Sequence, residues 1–163
     1  MTDQISELLR MLRQESELCL ELIEQEKRKT SLLIKGDLEA LTESNGIEED
    51  LNSRLRGIGQ QMSQACCDIS TAYGMAPEEV TLMKLAVVVD PSSASKIRSH
   101  SAEFKNLLKQ LKDINRRNKQ LIERSASCIQ GLLTLISNAS GSYQPTGTFT
   151  TISAVRPTFS RQG

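Results

Sequence analysis

The sequence predicts an all-α protein, an elongated antiparallel bundle or coiled coil of three long helices and one short one. Three observations carry this. Leu107, Ile114, Leu121, Cys128 and Leu135 recur every seven residues, with Phe104, Leu111 and Leu132 in a second heptad row. Leu108, Ile122, Ile129 and Ile136 widen the face, as a helix needs if it packs against two neighbours. Finally, 38% of the chain is hydrophobic but there is no Trp, only three Phe and two Tyr, so the core must be built from layers of Leu and Ile. A stripe this wide can be satisfied within one chain or across a homodimer.

The elements follow in order. Thr2 or Asp3 caps a first helix whose apolar positions are Ile5, Leu8, Leu12, Cys19, Leu22 and Ile23. Glu15, Glu26 and Lys29 interrupt that stripe, which predicts a helix less buried than the last one. It runs to Lys35, where Gly36 stops it and Asp37 caps the next. The second helix spans Leu38 to about Tyr73 through Leu41, Leu51, Leu55, Ile58, Met62, Cys66 and Ile69. Asn45-Gly46 resembles a hairpin turn. The apolar phase is kept across it, however, so one weakened helix is expected. Gly57 and Gly59 weaken it further, each by roughly 1 kcal/mol against Ala.

Gly74 ends that helix and Pro77 opens a short third one, with Val80, Met83 and Val87 expected inward. Asp90-Pro91-Ser92-Ser93 forces a turn, and a Ser caps the final helix, which holds the heptads to Ala139. The composition then changes. Residues 140–163 contain nine Ser or Thr, two Arg and no acid, yet hold Tyr143, Phe149 and Phe159, three of the five aromatics. The expected organisation is a helical bundle over 1–139 and a flexible partner-binding tail over 140–163. Two readings of the tail fit: it orders on a partner through Phe149, Ile152, Val155 and Phe159, or it folds back on the bundle.

Formal net charge is zero but unevenly spread. Residues 1–50 carry 13 acids and 6 bases, net −7; residues 91–163 carry 3 acids and 11 bases, net +8. An acidic first helix beside a basic last one would use this asymmetry to steer pairing. A phosphate-binding stripe of Lys109, Lys112, Arg116, Arg117, Lys119 and Arg124 is the rival reading, weakened by the lack of interleaved aromatics. The longest apolar run near the middle, Leu85 to Val89, is far short of a bilayer span, and the N-terminus does not read as a signal peptide. Cytoplasmic localisation is expected. Cys19, Cys66 and Cys128 fall on apolar stripes, Cys67 follows Cys66, and reduced, buried thiols are expected.

The residues offer no convergent catalytic constellation, so no enzyme, cofactor or metal is expected. The single His, His100, reads as a core-edge imidazole. A helical histidine phosphotransfer domain is the alternative, but Glu103 and Phe104 stand where Lys and Gly are usual. No Glu-x-x-His pair, zinc spacing, P-loop or nucleophile elbow is present. Asn115 and Asn118 lie within the long stripe, and a buried Asn at such a seam fixes register and partner number.

Asn115, Asn118, Leu121 and Ile122 form an Asn-x-x-Asn-x-x-Leu-Ile pattern that resembles the core of the FlgN family, flagellar type III export chaperones. The stretch Leu33 to Leu41 is similar to that family's junction between its first two helices. Tyr143 and Gly147 resemble the Tyr-x-x-x-Gly following its last helix. The chain departs from the pattern at Asn45-Gly46 and in its Thr-rich end beyond Gly147. The resemblance implies a cytoplasmic, non-catalytic chaperone that shields the hook-filament junction proteins FlgK and FlgL and delivers them to the export gate. It further implies partner contacts in the C-terminal part: Phe149, Ile152, Val155 and Phe159 for cargo, Tyr143 and Gly147 for cargo or gate. A generic coiled-coil adaptor or structural protein would share the heptads without needing the tail aromatics.

Overall fold

The computed structural model describes residues 2–75 and 81–139. Its described residues are all-α: α1 is Thr2–Lys35, α2 is Leu38–Ala72, α3 is Leu82–Val88 and α4 is Pro91–Ala139. The chain divides into two compact units, residues 1–125 and 126–163.

Between α1 and α2 the chain turns at Gly36, whose φ of 72° is the left-handed conformation a glycine adopts without a Cβ penalty. The amides of Gly36 and Asp37 both donate to the Leu32 carbonyl, closing the end of α1. The Asp37 side chain then accepts from the Ala40 amide at 3.1 Å, capping α2. Helix α2 passes through Asn45 and Gly46 unbroken, as its phase predicted. It ends at Gly74, with φ 70°.

Within residues 1–125 the long helices run up, down and up. Gln25 meets Ser44 and Glu21 meets Arg54, so α2 is antiparallel to α1. Ser16 meets His100 and Thr30 meets Asn118, so α4 is parallel to α1. One core joins Leu8 and Leu12 of α1, Ile69 of α2, Leu85 of α3 and Ile97 of α4, each at most 1% exposed. A second, smaller cluster of Cys19, Ile23 and Leu107 is flanked by Phe104, Leu111 and Ile114.

Helix α1, expected to be the less buried, is the central one. Among the described residues it buries eight apolar side chains, Ile5, Leu8, Met11, Leu12, Leu18, Cys19, Leu22 and Ile23, in clusters shared with Leu51, Ile58, Met62 and Ile69 of α2 and with Ala94, Ile97 and Leu107 of α4. Of the polar residues that seemed to interrupt its stripe, Glu26 is buried and Glu15 and Lys29 are half-buried. Glu26 is 2% exposed, and Glu15 and Glu26 each meet a polar side chain sent in from α4.

Two further expectations are corrected. Helix α3 is capped by Thr81, whose side chain accepts from the Lys84 amide, and that start sets the phase. Leu85, Ala86 and Val89 therefore turn inward, while Met83 and Val87 are exposed; Val80 lies outside the described residues. Helix α4 starts at Pro91, and Asp90 rather than a Ser accepts from the Ser93 amide at 3.0 Å. The Asp90 carboxyl is held below the usual carboxylate range by the Ser93 side-chain and backbone hydrogen bonds.

Candidate partner-binding surface

The six residues singled out for partner binding, Tyr143, Gly147, Phe149, Ile152, Val155 and Phe159, lie outside the described residues. The last described turns of α4 carry a different surface. Ile129, Leu132, Leu133 and Ile136 are 54% to 61% exposed. Their spacing of i, i+3, i+4 and i+7 places them on one helical face, the pattern by which a helix engages an apolar groove or another helix. Leu135 is 67% exposed on a different side. Gln130, Gly131, Thr134 and Ser137 fill the rest of the circumference, with the Thr134 and Ser137 hydroxyls donating to backbone carbonyls one turn back. After Arg124 no Asp, Glu, Lys, Arg or His occurs until Arg156.

The heptad rows had placed these residues in a buried seam, and the structure shows the seam ending earlier. Leu107 is buried, while Leu111, Ile114 and Leu121 are half-buried. Thr30 faces Asn118, so the end of α1 at Lys35 comes level with Glu123. Cys128, expected to be buried, is exposed. Cys19 and Cys66 are buried as expected, Cys67 is half-buried, and all four thiols are free. Burial pushes the Cys19 and Cys66 thiols up, helped by the charge of Glu15 beside Cys19 and by Cys67 beside Cys66.

Two polar centres pin α4 to α1. At the first, His100 Nδ1 lies 3.2 Å from Ser16 Oγ and Nε2 lies 3.2 Å from Glu15 Oε2. The tautomer protonated on Nε2 satisfies both, donating to Glu15 and accepting from the Ser16 hydroxyl. The imidazole is 9% exposed and stacks on Phe104 at a centroid distance of 5.7 Å. This is the core-edge imidazole the sequence predicted. A phosphoryl-accepting histidine needs an open ring nitrogen, and both nitrogens here are engaged. A Ser-His-Glu set also invites comparison with a hydrolytic relay. Ser16 sits mid-helix, where the backbone N–H groups are committed to the α-helical ladder and do not serve as oxyanion donors.

At the second centre, Asn118 Nδ2 donates to Glu26 Oε2 at 2.7 Å and to the Glu26 carbonyl at 3.1 Å. Its Oδ1 accepts from Thr30 Oγ1 at 2.6 Å. Helix α2 joins through Glu48, which pairs with Lys29 and stands close enough to the Glu26 carboxyl to raise it. Burial, then Glu48, pushes the Glu26 carboxyl above its ordinary range, while Asn118 and Lys29 oppose the rise. Asn118 is buried at the seam, as the sequence predicted, at 3% exposure; Asn115 is exposed. Among the described residues no group of three His, Cys, Asp or Glu could hold a metal ion, and no helix is long and apolar enough to cross a membrane.

The family model for FlgN protein matches residues 1–151. This chain belongs to the FlgN family. The matched span takes in both polar centres, the exposed end of α4, Tyr143, Gly147 and Phe149, and stops before Ile152, Val155 and Phe159. No curated protein and no solved structure matches the chain.

Proposed function

We propose that this FlgN-family chain is a cytoplasmic export chaperone, not an enzyme, that holds the hook-filament junction proteins FlgK and FlgL and delivers them to the flagellar export gate. Family membership supports the chaperone role. The observation that carries the binding mode is the exposed apolar face of Ile129, Leu132, Leu133 and Ile136 on the last turns of α4, which carry no charge after Arg124. Such a face suits a cargo segment that is itself helical and aggregation-prone, because helix-on-helix packing hides both apolar stripes from water. The uncharged face favours a hydrophobic grip over an electrostatic one. On this reading residues 140–163 form a partner-binding tail that continues the grip, with Phe149, Ile152, Val155 and Phe159 on cargo and Tyr143 with Gly147 on cargo or gate.

The test is capture of FlgK or FlgL by purified full-length variants. Leu132→Asp with Leu133→Asp should abolish capture while leaving the melting temperature within about 2 °C, since both side chains are exposed. Phe149, Ile152 and Val155 all changed to Ala should weaken it independently. Undiminished capture by the first variant would remove α4 from the site, and by the second would remove the tail. A coiled-coil adaptor working through the bundle face would keep its partner after deletion of residues 140–163.

A further inference from the structure

The charge asymmetry of the sequence is not spent inside the fold. Among the described residues the side-chain contacts from α1 to α4 that involve an ionisable group go to His100 and Asn118, not to the lysines and arginines of α4. Those cations face outward. Lys105, Lys112 and Lys119 are exposed and seven residues apart, as are Lys109 and Arg116 between them. The two series interleave at spacings of four and three, which lays them in one stripe about 21 Å long, away from the buried face. Among the described residues Lys105, Lys109 and Lys112 enter no ion pair. Arg116 pairs only with Asp113 on the same exposed surface, and Lys119 stands 3.9 Å from Glu123.

A second row borders this stripe. Leu108 and Ile122 are 47% and 48% exposed and stand two heptads apart, with exposed Asn115 midway. An apolar row bordered along one side by same-sign charges that repeat every seven residues is an arrangement that selects a helical partner in a coiled coil. We propose that the outer face of α4 from Lys105 to Lys119 docks an amphipathic helix of a partner protein whose flanking positions are acidic. The occupant follows from complementarity. A phosphate backbone has no use for the Leu108 and Ile122 row, and the stripe offers no aromatic for base stacking, since Phe104 lies on His100. A second copy meeting the same face would set lysine against lysine. This surface is separate from the uncharged end of α4, so its test stands apart from the cargo reading.

The probe is a synthetic three-heptad helix with Leu at its seam and Glu at both flanking positions, which its own repulsion keeps monomeric. A matched peptide carries Lys there. Fluorescence anisotropy with the full chain should show binding of the Glu peptide only, weakened by about tenfold or more in roughly 0.5 M salt. Lys105→Glu, Lys112→Glu and Lys119→Glu together should weaken the Glu peptide by about tenfold and let the Lys peptide bind. Leu108→Ser with Ile122→Ser should weaken it while the charges stay. Leu132→Asp should leave it unchanged. Equal binding of the two peptides, no binding of the Glu peptide, or indifference to the triple reversal would overturn the proposal. So would tighter binding of duplex RNA than of the Glu peptide, or a dimer in sedimentation that the triple reversal dissolves.

Discussion

Replacing Asn118 with Ala should damage the fold out of proportion to the size of the side chain removed. Asn118 supports a 2.7 Å hydrogen bond to the Glu26 carboxyl, a 3.1 Å bond to the Glu26 carbonyl and a 2.6 Å bond from Thr30. The site is sealed, with Glu26 at 2% and Asn118 at 3% exposure. A bond to a charge-bearing group is worth about 2 kcal/mol and each neutral one about 0.5 kcal/mol, so the loss is about 3 kcal/mol. For a chain of this length that lowers the melting temperature by about 6–12 °C. The change should also depend on pH. Because the fold raises the Glu26 carboxyl above its ordinary range, the protonated form is the one the fold favours. Its contribution is complete below the unfolded-state value and is lost as pH rises through the folded one. Asn118 supports the ionised form, so its removal should cost more at about pH 8 than at about pH 5. Urea unfolding followed by circular dichroism at both pH values measures this, with exposed Asn115→Ala as control. A loss no larger than that of Asn115→Ala, or one that shrinks as pH rises, would refute a polar pin at this position.

Other outcomes follow from the same packing. Leu8→Ala, at a fully buried site, should cost about 3 kcal/mol, whereas Leu135→Ala, 67% exposed, should cost under about 0.5 kcal/mol; denaturant titration compares them. Gly36→Ala should destabilise by about 1 kcal/mol because its left-handed φ is strained for any residue with a Cβ, although nothing lies near enough to clash. A maleimide reagent at neutral pH should modify exposed Cys128 first and reach Cys19 and Cys66 only on unfolding; mass spectrometry at timed points reads the order. Glu26→Gln should flatten the fall in stability with rising pH, since an amide there keeps an acceptor for Asn118 without the charge.

Helix existence and type were legible because they rest on local signals. Gly36 and Asp37 mark one junction, and the unbroken phase of α2 outweighed Asn45-Gly46. What escaped was three-dimensional pairing. The weight of apolar residues in α4 suggested a central helix, but a heptad row records only that a residue is suited to packing, not that a neighbour is present. The buried place of α1 was hidden because Glu15 and Glu26 read as interruptions until their partners, 85 and 92 residues away, were known. The α3 phase was missed for a local reason, because it is set by the Thr81 cap, which the sequence reading did not single out. A signal for the exposed end of α4 did exist. The disappearance of every charge after Arg124 fits a surface meant for another protein as well as it fits a core. The tail residues Tyr143 to Phe159 remain a proposal, and Leu132 and Leu133 are the better first targets.

Because α1 and α4 point the same way, the opening turn of α1 and residue Ser125 stand at opposite poles of the first unit. An affinity handle or fluorophore attached ahead of Thr2 therefore sits roughly 50 Å from Ser125 at the other end of that unit. On the proposed reading, tethering the molecule by its beginning keeps the tag out of the binding segment, while a handle after Gly163 is joined directly to it.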